Sequence, residues 1–128
     1  MNLFIIKKIG IDTHYINDLK NKFEDLRYDM YQNPAKLTVK ELAKKANFSL
    51  SYFNVLYKHF FFVNPIKDLD NARLKKVQRE LLDGTKSSEI IKELGFATEE
   101  YFYSWFKKHT GMTIKEYIYK ENEEKPYD

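Results

Sequence analysis

Residues 89–117 read EIIKELGFATEEYFYSWFKKHTGMTIKEY, and this stretch decides the fold that the sequence predicts. Apolar side chains on either side of Gly95 recur three and four positions apart, which is the spacing of the buried stripe on an amphipathic helix. Glycine between two such stripes supplies the left-handed backbone that a sharp turn between helices needs. The stretch therefore predicts two short helices joined by a tight turn, the helix-turn-helix arrangement, with a further helix after Gly111.

An earlier part of the chain repeats this pattern at an offset of 48 or 49 residues. The matching pairs are Leu42 with Ile90, Phe48 with Phe96, Tyr52 with Tyr101, Phe53 with Phe102, and Lys58 with Lys107. Asn47 stands where Gly95 stands in the later copy, and asparagine is the residue after glycine that most readily adopts left-handed backbone. The sequence thus predicts two copies of one helix-turn-helix unit.

The segment between the copies predicts one long connecting helix that begins near Pro65 and ends at Asp83-Gly84. We therefore predict an all-α protein with two helix-turn-helix subdomains, a long connecting helix and an extra N-terminal helix. The predicted divisions are an N-terminal segment (1–36), the first helix-turn-helix (37–62), the connecting helix (63–83), the second helix-turn-helix with a closing helix (84–119), and a frayed acidic tail (120–128).

The N-terminal segment carries an apolar stripe at intervals of three and four residues, formed by Ile16, Leu19, Phe23, Leu26 and Met30. This stripe fits a helix that packs on the domain behind it. Its mean spacing near 3.5 also fits a linker or dimerisation helix of the coiled-coil type, and two heptads are too few to decide between these alternatives. Ahead of the helix, residues 3–9 are expected to form a short strand or a docking segment.

Composition argues against an enzyme. Cysteine is absent and the three histidines are scattered, so neither disulfides nor a zinc site is expected. The sequence has no glycine-rich phosphate loop and no nucleophile motif. We therefore expect no catalysis, no metal and no cofactor. Because the apolar start of the chain is too short for a secretory signal or a membrane span, we expect a cytoplasmic protein without a membrane association.

The charge distribution favours a nucleic-acid partner without deciding the matter. The formal net charge is +3, and residues 37–117 hold 14 Lys and Arg against 10 Asp and Glu. A phosphate-binding surface requires such a local excess, although many small soluble domains carry a similar one. The basic excess therefore lies in the predicted repeat, where a nucleic-acid surface would need it.

The motifs taken together resemble the AraC/XylS family of bacterial transcription regulators. In the second copy the resemblance rests on LGF at 94–96, YF at 101–102, FKK at 106–108, TGMT at 110–113 and EY at 116–117. In the first copy it rests on LA at 42–43, Ser49, SYF at 51–53 and LYK at 56–58. In the connecting helix it rests on Pro65, DL at 68–69 and NAR at 71–73. The resemblance covers residues 37–117.

This resemblance implies a DNA-binding domain of seven helices whose two recognition helices enter adjacent major grooves. Family members usually carry a separate sensor or dimerisation domain, and none is recognisable in residues 1–36. The implied partners are double-stranded DNA, a second copy of the chain through the N-terminal helix or through a missing sensor domain, and RNA polymerase as a further candidate. An 18-residue connecting helix spans about 27 Å, compared with roughly 34 Å between successive major-groove faces.

Several positions depart from the family pattern. Val55 and Ser104 stand where the family often has arginine, the commonest reader of guanine edges, so strong guanine readout is not expected. Phe62 stands where the family places a helix-ending glycine, and because a left-handed phenylalanine would be strained, we expect a different local backbone there. Other departures are Ser87 in place of an apolar residue, Ile91 in place of alanine, and Ile114 in place of proline.

The candidate DNA-binding residues are those off the apolar stripes of the two predicted recognition helices. They are Ser49, Ser51, Asn54, Val55 and Lys58 in the first copy, and Thr98, Glu100, Tyr103, Ser104, Lys107 and Lys108 in the second. Lysines suit phosphates, Asn54 suits adenine and Val55 suits a thymine methyl group. Glu99 or Glu100 suits a cytosine amino group, although an acidic first turn also stabilises a helix by itself. The aromatic residues Tyr52, Phe53, Tyr101, Phe102, Trp105 and Phe106 are predicted to lie mainly in the core.

Two functions from different classes follow. The first is a sequence-specific DNA-binding transcriptional regulator. The alternative is a protein-interaction module that keeps the same fold but has weak or no specific DNA readout. Val55, Ser104, Glu99 and Glu100 motivate this alternative because none of them is a basic residue. The aromatic run at 60–62 motivates it as well, since apolar side chains left on a surface often mark a binding site for another protein.

Overall fold

The computed structural model of the chain describes residues 13–124, and within them all regular structure is helical. The helices, in chain order, are α1 (Thr13–Gln32), α2 (Val39–Lys45), α3 (Leu50–Phe61), α4 (Pro65–Leu82), α5 (Ser87–Leu94), α6 (Glu99–Thr110) and α7 (Ile114–Glu124). The all-α prediction is confirmed. The strand or docking segment expected at residues 3–9 lies outside the described residues.

Hydrogen-bonding side chains cap the starts of five of the described helices, and at α4 the cap is Asn64, whose Oδ1 accepts the N–H of Ile66. Thr38 accepts the backbone N–H of Glu41 ahead of α2, Ser49 that of Tyr52 ahead of α3, and Thr98 that of Tyr101 ahead of α6. At α7 the capping is reciprocal, because Thr113 accepts from the N–H of Glu116 while the Glu116 carboxylate accepts from the N–H of Thr113. These caps fix where each helix begins.

The chain divides into two compact units within α4, between Ala72 and Arg73. The first unit contains α1, α2, α3 and the start of α4. Its core is built around Phe23, which is fully buried and stacks on Phe53 with ring centroids 5.2 Å apart. The whole apolar stripe of α1 from Leu19 to Met30 is buried in this core, so the stripe packs on its own domain. A homodimer through the N-terminal helix would therefore have to use a different face of α1.

The second unit contains the rest of α4 together with α5, α6 and α7. Its core joins Val77 and Leu81 of α4 to Ile90 and Leu94 of α5 and to the buried aromatic face of α6. An ion pair adds to this packing, since Lys76 Nζ lies 2.9 Å from Glu93 Oε1. The closing helix α7 ends at Glu124, beyond residue 119, so the first residues of the predicted frayed tail are helical. Residues 125–128 lie outside the described part.

In each copy, a residue with left-handed backbone follows each of the two helices. Gly95 and Gly111 follow α5 and α6, with φ of 75° and 76°. Asn47 takes φ of 64° after α2, as the sequence predicts. Phe62 takes φ of 59° and ψ of 24° after α3. The expectation of a different backbone at Phe62 was wrong, because the fold keeps the left-handed conformation and places a phenylalanine in it.

Candidate nucleic-acid interface

Helix α3 is the first candidate recognition helix, and its position is fixed by its buried face. Phe53, Leu56 and Tyr57 lie in the core of the first unit. The opposite face is open to solvent and carries Ser51, Val55 and Lys58. Ser49 stands at the N-cap, where its Oγ accepts the N–H of Tyr52 at 3.2 Å. Four of the five residues predicted on this helix are therefore accessible to a duplex.

Asn54 is the exception on the first recognition helix. Its side chain is half-buried, and its Oδ1 atom is buried without a hydrogen-bond partner. Pairing with adenine requires that oxygen to accept from the base while the amide nitrogen donates. In this conformation the acceptor faces the protein, so Asn54 must rotate before it can pair with a base.

Helix α6 is the second candidate recognition helix and repeats the same construction. Phe102, Trp105 and Phe106 are buried, and Thr98 at the N-cap accepts the N–H of Tyr101 at 3.0 Å. All of the predicted residues on this helix are exposed, namely Thr98, Glu100, Tyr103, Ser104, Lys107 and Lys108. Glu99 and Glu100 both lie in its first turn, where a carboxylate favours the helix whether or not it contacts a base.

Two tyrosines that the sequence placed mainly in the core lie on the surface instead. Tyr52 is 43% exposed and Tyr101 is 58% exposed. Each is the third residue of its helix, and each ring lies beside the phenylalanine of the preceding turn, at 5.4 Å for Phe48 and 6.1 Å for Phe96. These residues are additional candidates for DNA contact, which the hydrophobic pattern alone assigned to the core. Their equivalent positions in the two copies could have indicated that they share a role.

A buried carboxylate ties the first recognition helix to two other helices. Asp68 of α4 accepts from Arg27 of α1 through both oxygens, with Nε at 2.6 Å from Oδ2 and Nη2 at 3.2 Å from Oδ1. It also accepts from the hydroxyls of Tyr31 of α1 and Tyr57 of α3. Tyr57 directly precedes Lys58, so this network holds the C-terminal half of the recognition helix in place. The partners are far apart in the sequence, and no local pattern predicted the network.

The electrostatics of this network favour an ionised carboxylate. Burial opposes ionisation of Asp68, but the hydrogen bonds from Arg27, Tyr31 and Tyr57 together outweigh it and hold its pKa below the ordinary value. Burial and the hydrogen bond to Asp68 raise the pKa of Tyr31 to about 12, and they raise the pKa of Tyr57 as well. The hydrogen bond to Asp68 likewise raises the pKa of Arg27.

In the second unit, some of the predicted DNA-binding residues of α6 lie beside α7. Tyr103, Ser104 and Lys107 of α6 and Ile114, Lys115 and Ile118 of α7 line a groove of about 550 Å³.

Within residues 13–124, no group of His, Asp or Glu side chains is arranged to hold a metal ion. None of the helices described is long and apolar enough to span a bilayer.

Comparison with known proteins identifies the class to which this arrangement belongs. A family model described as "Helix-turn-helix domain" matches residues 42–119. The chain belongs to this helix-turn-helix family, and it is of the AraC type. The resemblance seen in the sequence is therefore confirmed.

Individual relatives agree with this assignment. The chain is 29% identical over 83 residues to the "Uncharacterized HTH-type transcriptional regulator YobQ" of Bacillus subtilis (strain 168), a match covering 64% of the chain and 34% of that relative. The chain thus spans about a third of this relative's length.

Two solved structures are similar to the chain in fold. The C-terminal domain of AraT, a response regulator from Geobacillus stearothermophilus, has a TM-score of 0.68 and 25% identity, with 77% of this chain and 84% of that one covered. The C-terminal domain of the two-component response regulator yesN from Fusobacterium nucleatum subsp. nucleatum ATCC 25586 has a TM-score of 0.66 and 26% identity, with 79% and 98% covered.

Proposed function

We propose that the chain is a DNA-binding domain of a transcriptional regulator and that it reads double-stranded DNA through α3 and α6. One observation carries this proposal. Two helices at equivalent positions of a duplicated unit each bury an aromatic face and expose the opposite face, with Lys58 on one and Lys107 and Lys108 on the other. Membership of the AraC-type helix-turn-helix family and likeness to a transcriptional regulator support the same function.

The roles of individual residues follow from their chemistry. Lys58, Lys107 and Lys108 contact phosphates, because an ammonium group is a point charge that suits a phosphate better than a base edge. The side chains that approach base edges are Ser51, Asn54, Val55, Thr98, Glu100, Tyr103 and Ser104. Ser49 caps α3 and sits beside the free N–H groups at the start of that helix, where a phosphate oxygen is favoured.

The proposal extends to the manner of binding. The resemblance to the AraC/XylS family supports insertion of α3 and α6 into adjacent major grooves of one duplex. The chain spans about a third of the relative's length, and we propose that it serves as the DNA-binding part of a transcriptional regulator. A second copy of the chain and RNA polymerase remain predicted partners.

Measurement of the salt dependence of binding tests the proposal. The chain would be used to select bound fragments from genomic DNA, and affinity for one of them would be measured at several salt concentrations. Each neutralised phosphate contributes about 0.9 to the slope of log affinity against log salt. We expect Lys58→Ala and Lys107→Ala to weaken binding and to lower that slope. Lys20→Ala, on the exposed face of α1, is the matched control. Equal binding by all four proteins would contradict the proposal.

One observation favours the alternative function as a protein-interaction module. Phe62 is 90% exposed and Val55 is 53% exposed, so apolar side chains lie on the surface of the first unit. Exposed aromatic residues are frequent anchors of protein interfaces. The lysine variants separate the two functions, because they weaken DNA binding under the first proposal and leave the binding of a protein partner intact under the second.

A further inference from the structure

The groove between α6 and α7 joins Tyr103, Ser104 and Lys107 of the predicted DNA-binding set to residues of α7 that the sequence did not suggest as DNA contacts. Its lining includes the apolar residues Ile114 and Ile118 together with Tyr103. Ser87, at the start of α5, Ser104 and Thr113 are the hydroxyl residues of the lining. Among the described residues that line it are two lysines, Lys107 and Lys115, and no acidic side chain.

A single strand of the DNA backbone has the chemistry that this groove would complement. Deoxyribose rings are largely apolar and suit a lining that contains isoleucine side chains. Phosphates alternate with the sugars, and they suit lysine ammonium groups and hydroxyl donors. The absence of carboxylates from the described lining matters because a nearby acid would repel phosphate. Three lining residues, Tyr103, Ser104 and Lys107, already belong to the face that we assign to DNA, so the groove continues that face.

We propose that this groove holds one sugar–phosphate strand of the bound duplex and that Lys115 of α7 is a phosphate contact of the second unit. The proposal rests on the function proposed above, and it extends the DNA interface from the recognition helix to the closing helix. Lys115 holds the backbone on one side of the groove while Lys107 holds it on the other. The strand that lies between them fixes the depth to which α6 enters the major groove.

The test compares two lysines of the same helix. Lys115 lines the groove, whereas Lys120 is exposed on α7 and does not. Lys115→Ala and Lys120→Ala would be prepared in the full chain, and circular dichroism would establish that both fold. Affinity would be measured by fluorescence anisotropy at several salt concentrations. The probes are a duplex of about 30 base pairs, roughly three helical turns, selected from random DNA by the unmodified chain, and an unrelated duplex of the same length.

We expect Lys115→Ala to weaken binding severalfold on both duplexes and to lower the salt slope by about one, because a phosphate contact carries no sequence information. Lys120→Ala should behave as the unmodified chain. If Lys115→Ala keeps the normal slope and affinity while Lys107→Ala loses both, the groove does not hold the backbone, and the proposed function still stands. If Lys58→Ala, Lys107→Ala and Lys115→Ala all bind normally, the proposed function and this inference both fail.

A modified duplex supplies an independent measurement. Replacing individual phosphates of the selected duplex by uncharged methylphosphonates identifies the phosphate that Lys115 contacts. At that phosphate, the neutral substitution should weaken binding by the unmodified chain but have little further effect on Lys115→Ala. Additive effects at every phosphate tested would overturn the assignment of Lys115.

Discussion

Individual residues show how the two copies solve the same backbone problem differently. The second copy uses glycine at both of its left-handed positions, Gly95 and Gly111, whereas the first copy uses Asn47 and Phe62. A left-handed conformation costs a residue with a side chain roughly 1–2 kcal/mol. The first copy therefore carries backbone strain that the second copy avoids, and the strain is greatest at Phe62, since phenylalanine lacks the local hydrogen bonding of asparagine.

Replacing Phe62 by glycine should stabilise the first unit. The side chain is 90% exposed, so its removal loses little packing, and glycine relieves the left-handed strain. We expect Phe62→Gly to raise the free energy of unfolding by about 1 kcal/mol, measured by urea denaturation. Phe62→Ala is the control, because it removes the same ring but keeps the strained backbone, and it should give a smaller gain. Equal gains from both variants would show that the ring, not the backbone, sets the stability.

Asp68 and its hydrogen-bonded partner Tyr31 make the stability of the first unit depend on pH at both extremes. Its folded pKa lies below the ordinary value of 3.8, so the ionised carboxylate stabilises the fold above that pH, and this stabilisation is lost as pH falls through the lower folded value. Tyr31 works in the opposite sense. Its pKa rises from 10 to about 12, so its protonated form contributes stability below pH 10 that is lost as pH rises through 12.

Asp68→Asn should remove most of this acid dependence. We expect it to lower the free energy of unfolding by about 2–3 kcal/mol at neutral pH, because Arg27 loses its charged partner while its side chain, 39% exposed, remains partly solvated. The difference from the unmodified protein should narrow as pH falls toward 2. Asp29→Asn, an exposed change on α1, should shift stability by less than about 0.5 kcal/mol. Parallel pH profiles for Asp68→Asn and the unmodified chain would contradict this prediction.

At the scale of elements, the sequence predicted where helices begin, but it predicted only in part what each helix packs against. Capping is a local interaction, and the caps Thr38, Ser49, Thr98 and Thr113 each lie within three residues of the N–H group that they accept. The N-terminal helix α1 was also recognisable, but its stripe fitted either packing or dimerisation. The structure places that stripe in a core with Phe53 and Tyr57, which are about 30 residues away in the sequence. A periodic pattern shows which face of a helix is apolar, but it does not show which other part of the protein packs against that face.

The contribution of α1 can be measured through Phe23, which contacts Phe48, Phe53, Tyr57 and Phe60. Phe23→Ala leaves a large cavity in the aromatic core, so we expect a loss of about 3–5 kcal/mol in the free energy of unfolding, followed by far-ultraviolet circular dichroism. Tyr28→Ala removes a similar ring from the exposed side of the same helix and should cost less than about 0.5 kcal/mol. A small loss for Phe23→Ala would mean that the first unit folds without α1.

At the scale of the whole molecule, the sequence repeat predicted two units, and the structure divides the chain into two. The position of the division, within α4 between Ala72 and Arg73, could not be predicted. An uninterrupted helical pattern from Pro65 to Leu82 carries no sign of which residues pack with the first unit and which with the second. Helix α4 is therefore shared, and its two parts serve different cores.

Binding by both units to one duplex makes a prediction about spacing in the DNA. If α3 and α6 occupy adjacent major grooves, their half-sites lie about one helical turn apart. Inserting five base pairs between the half-sites moves one of them to the opposite face of the duplex. We expect the affinity to fall about 100-fold or more in a gel-shift measurement, because the linked second contact is lost. The same insertion placed outside both half-sites is the control. Unchanged affinity after the central insertion would mean that one unit binds alone.

Trp105 has a practical consequence for experiments on this protein. It is the single tryptophan of the sequence, and it lies buried in α6, with its ring 4.7 Å from that of His109. Fluorescence excited beyond the absorption of tyrosine therefore originates entirely in the second unit. A quenching or wavelength change on adding DNA would report engagement of that unit alone, while circular dichroism averages over both. Trp105 therefore serves as an intrinsic fluorescent probe of the second helix-turn-helix unit.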